Sequence, residues 1–304
     1  MNLLRTTLFI IFVIATANAQ LRVTTIEKLP ITLSAHWNQP QFSSDGHYLY
    51  FTTAEFNGIW EYSIQSKSCR MITQEPQSGL GFALSKDGKH ISYRRSMSDE
   101  RTHERVQDIV LADLATGESQ VVVSGNDLSA PAFVQNELSY TAGKQVHLPS
   151  RTDAAEINIL GIENTKIAID RNGQKVLFDP LGNGSYVWPS LSPDKKKVLA
   201  YEMGRGAFIC DLDGANVVFL GRLDAPNWTR DGKWIVFMDD KDDGRNITSS
   251  EIWAIAEDGG QRVQLTVTDR IVEMYPSCSP TENKIACSAL SGELYLISYT
   301  EVPR

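Results

Sequence analysis

The sequence predicts an all-β fold: a six-bladed β-propeller of four-stranded antiparallel blades, closed by the amino-terminal strand in the last blade. Three observations carry this prediction. A turn signature recurs six times, a second hairpin follows in step with it, and the last unit lacks one strand while the amino terminus has one to spare.

The signature is fullest in Pro40-Gln41-Phe42-Ser43-Ser44-Asp45-Gly46, followed by the strand-like run His47 to Phe51. It returns as Phe82 to Gly88 leading into Lys89 to Tyr93, and as Pro189 to Asp194 leading into Lys197 to Ala200. Pro226 to Gly232 leads into Trp234 to Phe237, and Pro276 to Pro280 into Lys284 to Cys287. A shortened copy, Pro131-Ala132-Phe133, leads into Glu137 to Tyr140. Each part has a physical reason. Glycine takes positive φ at little cost and aspartate bonds its own backbone, so Asp-Gly makes a tight turn. The flanking residues alternate, as a strand with one buried face must. Proline opens the first strand, where its missing N–H does no harm.

The second hairpins run from Ile59 to Ile72, Ile109 to Val123, Ile167 to Phe178, Phe208 to Leu220 and Ile252 to Leu265, each around a polar turn. Two hairpins make one blade. The sixth unit stops after three strands at Leu294 to Tyr299, and the segment Arg22 to Leu33 is left over. That segment is expected to complete the last blade, which removes the sheet edges that invite aggregation.

The residues Pro40 to Gly46, Leu84 to Gly88, Pro189 to Asp194, Pro226 to Gly232 and Pro276 to Pro280 together resemble the TolB-type, WD-like propeller repeat. The resemblance spans residues 20–304 and implies the fold. TolB carries a further amino-terminal α/β domain, whereas only about twenty residues separate the leader from the first blade in this chain, so a stand-alone propeller of the bacterial-envelope kind is expected. The same repeat occurs in the propellers of prolyl oligopeptidase-type enzymes and of oligogalacturonate lyase.

Arg5, the apolar run Leu8 to Ala15 and the small-x-small site Ala17-Asn18-Ala19 read as a cleaved signal peptide over residues 1–19. The mature chain would begin at Gln20 and be periplasmic or secreted. The apolar run is too short to span a bilayer, so no stable membrane insertion is expected. The chain has 29 basic and 37 acidic residues, a net charge of −8, and becomes one unit more negative when Arg5 leaves. Nucleic-acid phosphates demand clustered Lys and Arg, so a nucleic-acid partner is not expected. Of the four cysteines, Cys278 and Cys287 flank one hairpin and are placed for a bridge; Cys69 and Cys210 fall in different blades and read as buried thiols.

In a propeller, turns between strands one and two and between strands three and four share one face. Loops between strands two and three and between blades share the other. The first set is short and regular here. The second holds three long loops, Arg94 to Asp108, Thr141 to Thr165 and Met238 to Ser250, and binding sites usually sit on long loops of a rigid scaffold. Trp37, Trp188 and Tyr275 precede or nearly precede blade-opening prolines; they either ring the mouth of the central channel or cap the core between blades. Asp269, Arg270 and Glu273 share an inter-blade loop with Tyr275, as contacts or as solvated charges. Asp239, Asp240, Asp242 and Asp243 precede Gly244, but Lys241 occupies a ligand place of an EF-hand, which favours a turn bonding its own backbone over a calcium loop.

Catalytic constellations are thin. There is no Gly-x-Ser-x-Gly elbow, no metal spacing and no paired-acid motif, so no catalytic residue, metal or cofactor is assigned. His36, His103 and His147 would suit a metal-dependent lyase only if they converged on the variable face. The expected function is a non-catalytic envelope or secreted propeller binding a protein or peptide on its long-loop face through Trp37, Arg94, Arg101, Arg105, Trp188, Asp240, Asp243, Arg270, Glu273 and Tyr275. The alternative is a carbohydrate-active enzyme or glycan binder, resembling oligogalacturonate lyase, on the same face.

Overall fold

The computed structural model describes residues 19–32, 35–98, 101, 104–143, 145–147 and 157–303. The signal peptide assigned to residues 1–19 lies outside these except for Ala19, and His103 lies outside them too. The chain forms seven antiparallel sheets arranged as propeller blades. The first holds β2 (Trp37–Phe42), β3 (Tyr48–Thr53), β4 (Ile59–Ser63) and β5 (Cys69–Thr73). The second holds β6 (Ala83–Leu84), β7 (His90–Ser98), β8 (Arg105–Asp113) and β9 (Ser119–Gly125). The third holds β10 (Ala132–Val134), β11 (Glu137–Ala142) and β12 (Gln145–His147), the fourth β13 (Asn158–Glu163), β14 (Lys166–Arg171) and β15 (Gln174–Phe178). The fifth holds β16 (Tyr186–Leu191), β17 (Lys197–Glu202), β18 (Gly206–Asp211) and β19 (Val218–Gly221). The sixth holds β20 (Asp224–Trp228), β21 (Trp234–Asp242), β22 (Ile247–Ala256) and β23 (Arg262–Gln264). The last runs β24 (Glu273–Cys278), β25 (Lys284–Ala289), β26 (Leu294–Pro303) and then β1 (Ala19–Lys28). The amino-terminal strand pairs antiparallel with β26 from Ala19↔Pro303 to Lys28↔Tyr295 and closes the ring.

The blade count corrects the six expected from the signature. The stretch Thr141 to Thr165 is not one long loop: β12 and β13 lie within it, and β13 packs between β10 and β16 in a sheet of its own. Among its described residues this blade carries neither Asp-Gly nor a strand-opening proline. Its β13–β14 turn is Asn164-Thr165, with both residues at positive φ, a hairpin geometry that needs no glycine when asparagine leads. The third and fourth blades show three strands each among the described residues, and residues 148–156 between them lie outside those described.

The other two expected long loops are also strands. β7 and β8 stay paired out to Ser98↔Arg105, and β21 and β22 out to Asp242↔Ile247. Their charged residues disguised the alternation, because beyond the core both faces of a hairpin meet solvent or ion pairs. Arg95, for one, bonds Glu75 and the buried Asp108.

Cores lie between neighbouring blades. Phe42 and Phe51 pack with Ala286 and Leu296 of the last blade, and Tyr93 packs with Tyr50 and Ile59 of the first. Trp228 and Phe237 pack with Leu199 and Ile209, and Cys287 packs with Val236 and Ile252. Residues equivalent in the repeat thus form one recurring interface, weakest at the third blade, where Tyr140 instead stacks on His147 at 4.8 Å. All four cysteines are free thiols, so the placement of Cys278 and Cys287 in one sheet is packing without a bridge.

The Asp-Gly turns have a second, hidden half. A buried hydroxyl two residues before the aspartate donates to it: Ser43 to Asp45 at 2.6 Å, Ser85 to Asp87, Ser192 to Asp194 and Thr229 to Asp231, each at 2.7 Å. The same oxygen accepts the N–H that opens the next strand, as from Tyr48, His90, Lys197 and Trp234. Several of these aspartates are held below the usual carboxylate range, the hydroxyl bond acting on Asp87 and Asp194 as the largest cause.

Candidate functional site

The first strands of four blades, β2, β16, β20 and β24, line the central channel and share one irregularity. Between Asn38 and Gln41, Val187 and Ser190, Asp224 and Asn227, and Met274 and Ser277 the ladder slips, leaving two inner-strand residues opposite one on the next strand. The two residues are always X-Pro, and X is left-handed: Gln39 (φ 49°), Trp188 (52°), Ala225 (49°) and Tyr275 (52°). Proline lacks the N–H that a ladder would use, so a bulge is where it fits. In the second blade Gly81 (φ 76°) precedes Phe82 at the corresponding place. Non-glycine residues in this region cost about 1–3 kcal/mol each and persist only where the surroundings enforce them.

All five left-handed residues line one cavity of about 390 Å³ in the channel. Its other contributors include Gln41, Phe82, Asn227 and the bulge prolines Pro40, Pro226 and Pro276. The bulges fall at or near the middle of these short inner strands, and the cavity is lined on both sides of them, by Gly79 as well as by Asn227 and Ser277. The inter-blade connections and the hairpins at the same end expose large apolar side chains: Leu80, Met97, Leu290, Met203 at 58 % and Val267 at 80 %. Other exposed apolar side chains, among them Met71, Val121, Val122, Val176, Leu177 and Phe219, lie on the outermost strands of their sheets.

The ten residues expected to form the site are only partly brought together. Trp188, 46 % exposed and edge-on to Tyr201 at 5.7 Å, and the half-buried Tyr275 meet in the channel cavity. Trp37 is 5 % exposed and packs edge-on to Phe51 and Trp60 at 5.1 and 5.0 Å, so it is core. Asp240 is mostly buried, 3.4 Å from Arg222, and shares a hydrogen bond with Asp224; burial and that bond push Asp224 up. Arg94 is half-buried and donates to the Leu128 carbonyl at 2.6 Å. Arg105 is exposed on the β7–β8 hairpin and donates to Ser96 and Gln77, and Arg101 is exposed at the tip of that hairpin. Asp243 caps the β21–β22 turn by accepting the N–H groups of Arg245 and Asn246, each at 2.9 Å, which lowers its carboxyl. With Asp242 accepting from Gly244, the acidic cluster is a turn bonding its own backbone.

Arg270 is exposed on the connection from β23 to β24, but Glu273 at its end is 1 % exposed. Thr268 donates to Glu273 at 2.9 Å, while the other Glu273 oxygen is buried without a partner. Burial pushes this carboxyl up to about 7, and the nearby Glu251 adds to the shift. Glu251 accepts from Thr266 and from the Thr268 backbone, so the two glutamates grip one loop. No group of three His, Cys, Asp or Glu among the described residues is placed to hold a metal.

The residues missed by sequence reasoning are Gln39, Gln41, Phe82 and Asn227 in the cavity and the apolar rim. The signal for the first was present, since the residue before the signature proline is the one that the bulge turns into the channel.

Comparison with known proteins gives the fold. No family model matches the chain, and no curated protein matches it. Among solved structures it is similar to TolB from Acinetobacter baumannii, with 17 % identity over 81 % of this chain and a TM-score of 0.56. It spans 57 % of that protein's length. It is also similar to the β-propeller domain of Myceliophteria thermophila Cps50 (Swd1), with 10 % identity, 92 % of this chain, 100 % of that one and a TM-score of 0.62. An oligogalacturonate lyase from Vibrio parahaemolyticus shares 13 % identity over 88 % of this chain and 79 % of its own, with a TM-score of 0.50. No helix among the described residues is long and apolar enough to cross a membrane.

Proposed function

We propose that this protein is a non-catalytic propeller of the cell envelope or the extracellular space, and that it binds a protein or peptide on the face bearing the inter-blade connections. The observation that carries this reading is that five separate connections and hairpins at one end of the ring each expose a large apolar side chain. Leu80, Met97, Met203, Val267 and Leu290 come from five different connections or hairpins, yet all are exposed at one end of the ring. Scattered apolar residues need no explanation, but a set of them on the connections at one end of the ring suits a partner. Exposed charges of both signs stand on connections and hairpins of the same end, Arg101, Arg105 and Arg270 with Asp243, and give a partner its orientation rather than most of its affinity. The leader read in residues 1–19 and the TolB-like fold support an envelope or secreted location.

The test is a selection. Peptides enriched from a random phage-displayed library on the wild-type protein should lose capture on a variant carrying Met203→Asp and Val267→Asp. They should keep it on one carrying Lys89→Ser and Lys195→Ser in the opposite turns. Loss on the turn variant and retention on the rim variant would reverse the assignment.

A further inference from the structure

We infer that the channel cavity is a site for an uncharged, hydroxyl-rich ligand, a neutral saccharide, separate from the rim that meets the macromolecular partner. The first ground is how the repeat treats these positions. At the turns both backbone and side-chain chemistry recur: Ser or Thr, then Asp, then the same bonds. At the four bulges the backbone recurs while the side chain changes, from Gln39 to Trp188, Ala225 and Tyr275, and Gly81 before Phe82 is left-handed too. Packing alone would keep the residue type. A costly conformation held constant to present differing side chains into one cavity is the arrangement of a ligand clamp.

The second ground is the chemistry of the lining. None of the described residues around the cavity is a Lys, Arg, His, Asp or Glu, although such residues stand close by at the rim. A ligand bearing a formal charge would be stripped of water there with no counter-charge, a cost that excludes polyuronates and free chain termini. What the cavity offers is aromatic surface from Phe82, Trp188 and Tyr275 and three amides. The side-chain amides of Gln39 and Gln41 have no partner among the described residues, and Asn227 uses only its oxygen, accepting the Cys278 N–H at 2.9 Å. Aromatic faces match the C–H faces of a sugar ring, and amides, which donate and accept, match hydroxyls that do both.

An extended peptide fits less well. It brings an N–H and a C=O at every residue that must be satisfied. The neighbouring inner-strand groups are already paired in ladders, and Pro40, Pro226 and Pro276 supply no donor at the bulges.

The experiment is saturation-transfer difference NMR on the mature chain with cellobiose, maltose and N,N′-diacetylchitobiose, beside digalacturonate as a charged control. At least one neutral disaccharide should receive saturation on its ring C–H protons at millimolar concentration, and digalacturonate none. Trp188→Ala should weaken binding by about tenfold or more, and Gln41→Ala, at an exposed position, should weaken it with melting unchanged. Val267→Asp on the rim should leave the sugar signal alone, which separates this site from the partner face. Saturation of none of the three neutral sugars, undiminished transfer in Trp188→Ala and Gln41→Ala, or displacement of the sugar by an uncharged glutamine- and proline-containing peptide would each overturn the assignment.

Discussion

The two ends of the ring are built from the same strands and solve opposite problems. At the Asp-Gly end, the turns of successive blades are tied to one another. Thr281 donates to the Asp45 carbonyl, Ser44 to the Lys86 carbonyl at 2.7 Å, and Asn136 accepts from Asp87 at 2.9 Å. Arg230 bonds Asn283, Lys197 reaches Glu257 and Lys233 reaches Glu301, each from one blade to the next. At the other end the connections leave apolar side chains in water and a cavity with unpartnered amides. The difference teaches that a repeat which fixes both backbone and side chain is building the scaffold, whereas one that fixes only the backbone is presenting something.

This contrast predicts an order of sensitivities. Trp228→Ala, in the core beside the turn face, should cost about 3 kcal/mol in urea unfolding. That is the lower end for a buried tryptophan, because its Nε1–H is buried without an acceptor and its removal relieves that cost. A midpoint and slope equal to wild type would show that the blade register is wrong.

Thr229→Ala should cost about 1–3 kcal/mol, since it orphans the Trp234 N–H and frees Asp231. Val267→Ser, at an equally small but largely exposed residue of the opposite end, should stay within about 0.5 kcal/mol. Equal effects would erase the distinction between the two ends.

A smaller effect follows from Glu273. Its proton is held more tightly in the folded chain, with burial as the main cause, against the ordinary glutamate value of 4.5. Its contribution to stability is therefore complete below about pH 4.5 and is lost as the pH rises to about 7. Between those values the urea midpoint should fall, and Glu273→Gln should flatten that limb. A flat wild-type profile over this window, or an unchanged slope in Glu273→Gln, would contradict the loop grip by Glu251 and Glu273. The lowered carboxyls of Asp87 and Asp194 act in the opposite sense and only below their ordinary value of 3.8, so they do not mask it.

Much of the scaffold was legible in the sequence because one turn chemistry repeats. The closure by the leading strand followed from counting strands, and β1 lies on β26 accordingly. The seventh blade was not legible, because the stretch Thr141 to Thr165, which holds β12 and β13, contains no Asp-Gly and read as one loop. The charged hairpins β7–β8 and β21–β22 read as loops because alternation fades once a strand leaves the core. Within the site, Trp188 and Tyr275 were legible because they directly precede a signature proline. Trp37 stands before the bulge, where the undisturbed strand turns it into the core. The uncharged character of the channel cavity needed the three-dimensional lining, since Gln41, Phe82 and Asn227 come from three different blades.

The central claim is that the connection face meets a partner, and site-specific photo-crosslinking in the native host tests it most directly. A photoreactive phenylalanine analogue placed at Met203 or Val267 should give a discrete adduct with one protein, and the same analogue at Lys89 or Lys195 should give none. Adducts from the Asp-Gly positions with none from Met203 and Val267 would contradict the account.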